Sequence, residues 1–140
     1  LFRSLCLVAA GLSGQSNDLI DEILGQDPAT REAVLVIALQ GNGVDFSGSA
    51  TAYAAAEGWL EDSNAEMPIT LGELSHVLLQ AGGGGGSLLY RLFSGPRYAA
   101  REAFYNGWIP SRRAPGSELS GEEAIQLIGN FLSARDQEAL

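Results

Sequence analysis

Five of the eight arginines in this 140-residue chain lie between positions 91 and 113, where Glu102 is the single acidic residue. The stretch therefore has a local charge of +4 (five Arg minus one Glu), although the whole chain carries −9. Guanidinium groups hold carboxylates through paired hydrogen bonds, and aromatic rings give flat faces on which sugars stack. This composition favours a binding face for an acidic sugar, with these candidate residues: Arg97, Tyr98, Arg101, Trp108, Arg112 and Arg113. The alternative is that the aromatic residues belong to the core and the arginines only solvate one face.

The remaining chemically active residues predict neither a metal site nor catalysis. His76 and Cys6 are the only residues of their types and lie far apart, so they favour no metal site or Cys–His nucleophile. The glycine run at 82–87 lacks a P-loop lysine and follows a predicted helix, which indicates a linker rather than a nucleotide loop. The paired carboxylates Glu122 and Glu123 are explained by a helix start. We therefore expect a non-catalytic protein without a cofactor.

Length, composition and charge restrict the class of protein. A chain of 140 residues with 46% apolar and 18% charged residues is typical of one globular domain. The net charge of −9 argues against nucleic acid as a partner. Apolar runs are too short to predict a transmembrane helix. Residues 1–16 combine one arginine, an apolar stretch and small residues, which is typical of either a signal peptide or a buried N-terminal helix. The first alternative predicts export to the cell envelope or periplasm, and the second a cytoplasmic protein.

The candidate residues lie within a recurring pattern. Residues 28–40 align without gaps on 68–80, and 118–130 give a third, weaker copy. An upstream element is shared by residues 50–70 and 99–120. The repeats are therefore predicted at about 17–40, 48–80 and 97–133, within one domain of residues 17–140. A recurring unit of this size cannot bury its apolar face alone, so the copies must pack on one another.

Each copy has the signals of two helices joined by a turn. Thr70 and Ser120 are good N-cap residues, and each has a glutamate three positions later, Glu73 and Glu123, which is the spacing of a capping box. Thr30 has the corresponding position in the first copy. Runs 50–57 and 97–106 favour helix, and Gly58 and Gly107 stand where a helix end needs a left-handed residue. Short helices are also predicted at 16–25 and 87–93, with a turn at 41–49. The predicted fold class is all-α, built from packed helical hairpins.

The pattern resembles the S-layer homology (SLH) domain, in which each of three repeats has a helix, a Gly-apolar turn, a loop and a second helix that opens on "TRAE". Residues 97–109 resemble the first element, and 69–74 and 119–124 resemble the opening of the second. The segment "ATREAV" at 29–34 keeps both Thr30 and Arg31. The resemblance implies a pseudo-threefold bundle of helical hairpins.

The resemblance also implies a function in the cell envelope. SLH domains anchor exported proteins by binding anionic wall polysaccharides between their repeats, using the motif arginine. Here Arg31 keeps that arginine, whereas Leu71 and Gly121 replace it. We therefore add Arg31 to the candidate binding residues and expect an anionic cell-wall glycan, or a polymer linked to peptidoglycan, as the partner. The alternative is a helical adaptor that binds another envelope protein and has lost sugar binding.

Overall fold

The computed structural model describes residues 17–82 and 94–138, and these residues form helices without a sheet. The predicted all-α class is therefore confirmed. The N-terminal segment 1–16, most of the glycine run and the helix predicted at 87–93 lie outside the described residues. No helix within the described part of the chain is both long and apolar enough to cross a membrane. The helices are residues 17–24 (α1), Arg31–Gly41 (α2), Ala50–Ala56 (α3), Leu71–Ala81 (α4), Pro96–Tyr105 (α5) and Gly121–Glu138 (α6).

Glycines end α3 and α5 in the same way. Gly58 and Gly107 have φ angles of 82° and 75°, in the left-handed region that glycine enters without strain. The next residue in each case, Trp59 or Trp108, donates its backbone N–H five residues back, over 2.9 Å and 2.8 Å. These bonds are typical of a Schellman motif, which satisfies the last carbonyls of a helix. The predicted helix ends are confirmed.

Both predicted capping boxes are present. The Thr70 hydroxyl accepts from the Glu73 backbone N–H at 3.2 Å, and the Glu73 carboxylate accepts from the Thr70 N–H at 3.1 Å. Ser120 and Glu123 exchange the same two bonds at 3.2 Å and 3.0 Å. Thr30 is also an N-cap residue, but its side chain makes no capping bond. Two of the three copies thus satisfy their helix starts locally, as the spacing predicts.

Three short segments meet through a closed ring of backbone hydrogen bonds. The Ala29 N–H donates to the Leu119 carbonyl at 2.9 Å, the Leu119 N–H to the Ile69 carbonyl at 3.1 Å, and the Ile69 N–H to the Ala29 carbonyl at 2.9 Å. Each of these residues directly precedes the N-cap of α2, α4 or α6, and all three are buried. The entry segments of the three recurring helices therefore hold one another in place.

A second set of bonds, one step into the helices, closes in the opposite cyclic sense: the first ring runs from the first copy to the third, then to the second and back, whereas this set runs from the first to the second, then to the third and back. The N–H groups of Arg31, Leu71 and Gly121, the first residues of α2, α4 and α6, donate to carbonyls of the next copy at 2.8–2.9 Å. The acceptors are Met67, Ser117 and Gln26, respectively. The first N–H groups of a helix have no partner within that helix. Here each start is satisfied by the loop that enters a neighbouring copy.

The core consists of the apolar faces of these helices. Among its fully buried large side chains are Leu35, Leu39, Leu74, Leu78 and Leu127. Trp108 is 8% exposed and meets Phe131 edge to face, with 5.0 Å between ring centroids. Trp59 is only partly buried and lies edge-on to Tyr53 of the preceding helix, α3. The two tryptophans thus share a backbone position but not a degree of burial.

Candidate anion-binding site

Helix α5 presents one small face to the core and one basic face to solvent. Its buried side chains include Ala99, Ala100 and Ala103, whereas Arg97 and Arg101 are exposed and lie one turn apart on the same side. Pro96 is the first residue of α5. A backbone N–H at this position would have no acceptor within the helix, so the lack of an N–H in proline costs no hydrogen bond. The small side chains on this face let α5 approach α4 closely. The approach is so close at Gly72 of α4 that a Cβ there would lie only 2.9 Å from the Pro96 Cβ.

The loop between α5 and α6 is fixed at both ends by buried side chains. Trp108 and Ile109 anchor its start, and Leu119 anchors its end. Within it, Arg113 forms an ion pair with Glu123 and donates to the Glu118 carbonyl at 3.1 Å. The pKa of Glu123 lies below its ordinary value, first because its carboxylate accepts from the Ser120 N–H, and also because Arg113 is adjacent. Glu123 therefore caps α6 and holds Arg113 at once.

These two elements line a half-open cavity of about 330 Å³, which we call the four-arginine cavity. It brings together four of the five arginines among the candidate binding residues, and the exception is Arg31. Its lining consists of Arg97, Ala100, Arg101, Phe104, Arg112, Arg113, Ala114 and Pro115. Arg97 and Arg101 come from α5, and Arg112 and Arg113 from the loop. Helix α5 and the loop that follows it thus form one concave basic surface.

Three of the four guanidinium groups are available to a ligand. Among the described residues, the ion pairs involve only Arg31 and Arg113, so no carboxylate neutralises Arg97, Arg101 or Arg112. Arg97 lies over the Tyr98 ring and Arg101 over the Tyr105 ring, with 6.0 Å and 5.6 Å from each Cζ to the ring centroid. At this range the ring face attracts the cation and favours certain side-chain positions without neutralising its charge. The cavity therefore attracts anions.

The aromatic residues predicted to stack on a ligand do not line this cavity. Tyr98 is partly buried, and Trp108 instead borders a smaller cavity of about 80 Å³ that also includes Arg113 and Glu123. Phe104 is the aromatic side chain in the lining. Sequence reasoning missed Phe104 as a site residue and Glu123 as the anchor of Arg113. The i, i+3 spacing from Arg101 to Phe104 was a usable signal, whereas no local pattern connects Arg113 with Glu123.

Arg31 does not line the four-arginine cavity but lies in an ion-pair network of its own. Its side chain is 5% exposed; it donates to Asp62 at 2.6 Å and forms an ion pair with Glu73. Burial alone would lower the pKa of Arg31, but its hydrogen bonds to Glu73 and Asp62 raise it above the ordinary value. The motif arginine is thus engaged in joining the first copy to the second.

The other two motif positions are buried as well. Leu71 is fully buried in the core. Gly121 lies under the end of α1, where a Cβ would come within 1.6 Å of the Ile23 carbonyl oxygen. No larger residue fits there without moving α1. This contact explains why position 121 requires a residue without a Cβ.

The residue three positions after Thr30 is Ala33, so the first copy has no capping-box glutamate, and Glu32 beside it bonds to the start of α3. Its carboxylate accepts from the Ser49 hydroxyl at 2.6 Å and from both the backbone N–H (3.1 Å) and the hydroxyl (2.9 Å) of Thr51. It also accepts from the Ala50 N–H at 2.9 Å. Burial would raise the pKa of Glu32, but the bonds from Ser49, Thr51 and Ala50 lower it. Glu32 therefore stabilises the start of α3.

Among the residues that the structure describes, the other titratable groups form no second site. His76 is 7% exposed, and burial lowers its pKa, which favours the neutral form. No group of three or more His, Cys, Asp or Glu side chains that could hold a metal ion occurs within the described ranges. The four-arginine cavity is therefore the candidate site that the described structure supports best.

Comparison of the chain with protein-family models, curated proteins and solved structures found no match. The resemblance to SLH domains therefore rests on the motifs in the sequence.

Proposed function

We propose that this chain is a non-catalytic cell-envelope module that binds an anionic cell-wall polysaccharide, or a polymer linked to peptidoglycan, in the four-arginine cavity. The observation that carries the proposal is the convergence of Arg97, Arg101, Arg112 and Arg113 on one concave surface. A guanidinium group binds a carboxylate or phosphate through two parallel N–H bonds, which gives both affinity and orientation. Because the chain is otherwise strongly acidic, an anionic polymer is repelled from most of the surface and admitted at the cavity.

Binding rather than catalysis fits the chemistry of the lining. Its side chains are arginine, alanine, phenylalanine and proline, which offer positive charge, shape and an apolar wall. None of these residue types serves as a nucleophile or takes up a proton near neutral pH.

The hydrogen-bond rings support the SLH-like arrangement within this proposal. Equivalent residues of three sequence copies, Ala29, Ile69 and Leu119, bond to one another in cyclic order. A pseudo-threefold bundle requires such a closed arrangement, because each copy must cover the apolar face of its neighbour. Export follows from the proposal, since wall polymers lie outside the cytoplasm.

The second candidate function is a helical adaptor that binds another envelope protein. The observation that favours it is the state of the motif arginine positions: Arg31 is engaged in ion pairs, and Leu71 and Gly121 are buried. The side chains at those three positions therefore cannot contact a sugar in the way that the motif arginines of SLH domains do. On the adaptor reading, the four-arginine cavity receives an acidic segment of the partner protein.

Sedimentation with purified bacterial cell walls tests the proposal. The informative variant changes Arg97, Arg101 and Arg112 to Gln and leaves Arg113 in its ion pair. This variant has a net charge of −12 (−9 minus 3), so a control adds Glu57→Gln, Glu61→Gln and Glu66→Gln to restore −9. These glutamates are exposed and outside the cavity lining.

We expect wild type to sediment with the walls and both arginine-deficient variants to remain in solution. Wild-type binding should weaken with added salt, because exposed charges are screened over about 8–10 Å at physiological ionic strength. Recovery of binding in the charge-matched variant would show that net charge, not the cavity, controls retention. Failure of wild type to sediment, together with recovery of an envelope protein, would favour the adaptor.

A further inference from the structure

The four-arginine cavity offers more hydrogen-bond donors than one carboxylate can accept. Each guanidinium carries five N–H groups in a fixed plane, whereas a carboxylate has two oxygens with about four acceptor sites. One or two arginine forks therefore saturate a carboxylate. Three guanidinium groups in the lining, those of Arg97, Arg101 and Arg112, have no carboxylate partner among the described residues. A ligand group with more oxygens and more charge fits this donor set better.

A phosphomonoester has these properties. It carries about −1.5 to −2 charge near neutral pH and has three strong acceptor oxygens. Its three oxygens can accept paired N–H bonds from guanidinium groups that approach from different directions. The arginines of the cavity come from two elements, α5 and the loop at 112–113, and so approach from different sides. Arg113 is already paired with Glu123, whereas the other three arginines have no carboxylate partner among the described residues.

The size and the apolar part of the lining indicate what carries the phosphoryl group. A volume of about 330 Å³ is near the lower end of ligand sites, which span roughly 300–1,000 Å³. It exceeds what a phosphoryl group alone fills and admits one sugar-sized ring. Phe104, Pro115 and Ala100 supply apolar surface beside the arginines. One phosphorylated sugar residue matches both the charged and the apolar parts.

We infer that the four-arginine cavity selects a phosphomonoester on a single sugar-sized ring over a carboxylated sugar of the same size. This inference rests on the proposed function and narrows its ligand class. The phosphorylated group can belong to a wall polymer, a lipid headgroup or a free sugar phosphate, which share this chemistry. Selection is due to the number and planarity of the guanidinium donors rather than to charge alone.

Calorimetric titration with three ligands of one ring size tests the selectivity. The three ligands share one ring and differ only at carbon 6. Glucose 6-phosphate carries a dianionic phosphate there, glucuronate a monoanionic carboxylate and glucose a neutral hydroxyl. We expect glucose 6-phosphate to bind at least about tenfold more tightly than glucuronate, since one additional charged hydrogen-bonded pair corresponds to roughly that factor. Glucose should show no binding.

A lysine variant separates fork recognition from charge. Changing Arg97, Arg101 and Arg112 to Lys keeps the net charge but removes the planar donors. We expect this variant to bind glucose 6-phosphate about tenfold more weakly than wild type, with glucuronate affinity changed much less. Equal affinity of wild type and the lysine variant for glucose 6-phosphate would overturn the donor argument.

The pH dependence gives an independent readout. The second ionisation of a phosphomonoester has a pKa of about 6, so glucose 6-phosphate affinity should fall from about pH 7.5 to about pH 5.5, whereas glucuronate affinity should stay constant. The charged groups around the ligand are the four lining arginines and Glu123, which pairs with Arg113. Arginine stays protonated in this range, and Glu123 has a lowered pKa and stays ionised.

Two further binding experiments identify the molecule that carries the phosphomonoester. Retention on vesicles that contain phosphatidic acid indicates a lipid headgroup, and loss of cell-wall binding after alkaline phosphatase treatment indicates a polymer. Wall binding unchanged by phosphatase would exclude a phosphorylated wall polymer as the source of the group. Glucuronate bound as tightly as glucose 6-phosphate would overturn the phosphomonoester inference and leave anion binding standing. Absence of binding to all three small ligands, to vesicles and to walls would overturn both.

Discussion

The guanidinium of Arg31 donates to the carboxylate of Asp62 over 2.6 Å, although 31 positions separate the two residues. The same guanidinium forms an ion pair with Glu73, the capping-box residue of α4. One buried cation thus connects the start of α2, the loop after α3 and the start of α4. In the third copy, Glu123 stands in the place of Glu73, and its cation is Arg113 from the preceding loop of the same copy. The two copies satisfy equivalent carboxylates with cations from different places in the sequence.

Replacement of Arg31 by Met should destabilise the fold by about 2–3 kcal/mol, because it leaves the largely buried Glu73 carboxylate without its cation. Arg135→Met is a matched control, since Arg135 donates to Asn42 and the Gly41 carbonyl in a more exposed setting. We expect the control to lose about 1 kcal/mol or less. Chemical denaturation of both variants measures the difference. Equal losses would show that the Arg31 network contributes no special stability.

Two glycines of α6 should respond in opposite directions to replacement by alanine. Gly121→Ala places a Cβ 1.6 Å from the Ile23 carbonyl oxygen, so we expect a loss of at least about 3 kcal/mol or no stable protein. A Cβ at Gly129 meets no heavy atom within 4 Å. Gly129→Ala should therefore gain about 0.5–1 kcal/mol from the lower flexibility of the unfolded chain. Thermal unfolding monitored by circular dichroism compares the two variants. Similar effects of both changes would show that Ile23 of α1 does not lie against Gly121.

The loss of stability on replacing each of the three N-cap residues by alanine should depend on whether its side chain makes a capping hydrogen bond. Thr70→Ala and Ser120→Ala each remove a hydroxyl that accepts from a backbone N–H, and each should cost about 1 kcal/mol. The Thr30 side chain makes no capping bond, so Thr30→Ala should cost less than about 0.5 kcal/mol. Urea denaturation of the three variants gives the ranking. A loss at Thr30 as large as at Thr70 would mean that the two hydroxyls act alike in solution.

Glu32 should make the stability of the fold depend on acid. Its pKa in the folded protein lies below the ordinary value of 4.5, owing to the bonds from Ser49, Thr51 and Ala50. A lowered folded-state pKa stabilises the protein fully above the unfolded-state pKa, and this stabilisation is lost as the pH falls through the folded-state pKa. The free energy of unfolding should therefore fall from about pH 6 to about pH 3, and Glu32→Gln should reduce that slope.

The remaining slope in the Glu32→Gln variant should come from Asp62 and Glu123, whose pKa values are also lowered, first by backbone N–H bonds from Asn64 and Ser120. Denaturation curves at several pH values measure both slopes. A slope unchanged by Glu32→Gln would show that its carboxylate is not bonded at the start of α3.

The amino-acid sequence by itself determined the features that depend on neighbouring residues. The capping boxes at Thr70 and Ser120, the left-handed turns at Gly58 and Gly107 and the all-α class follow from spacings of a few positions. These signals are local because a cap or a helix end is satisfied within about one turn of the chain. The clustering of arginines in 97–113 was likewise visible, since α5 and its loop are adjacent in sequence.

Tertiary structure alone decided which partners the distant residues meet. Arg31, expected at the binding face, is engaged by Asp62 and Glu73, and Glu32 of α2 bonds to the start of α3. The backbone ring of Ala29, Ile69 and Leu119 also depends on how the three segments that contain these residues meet. A charged or polar group bonds to whatever the fold brings within about 3 Å, and sequence spacing does not specify that neighbour. Local chemistry thus determined the helices, and packing determined which arginines remain available to a ligand.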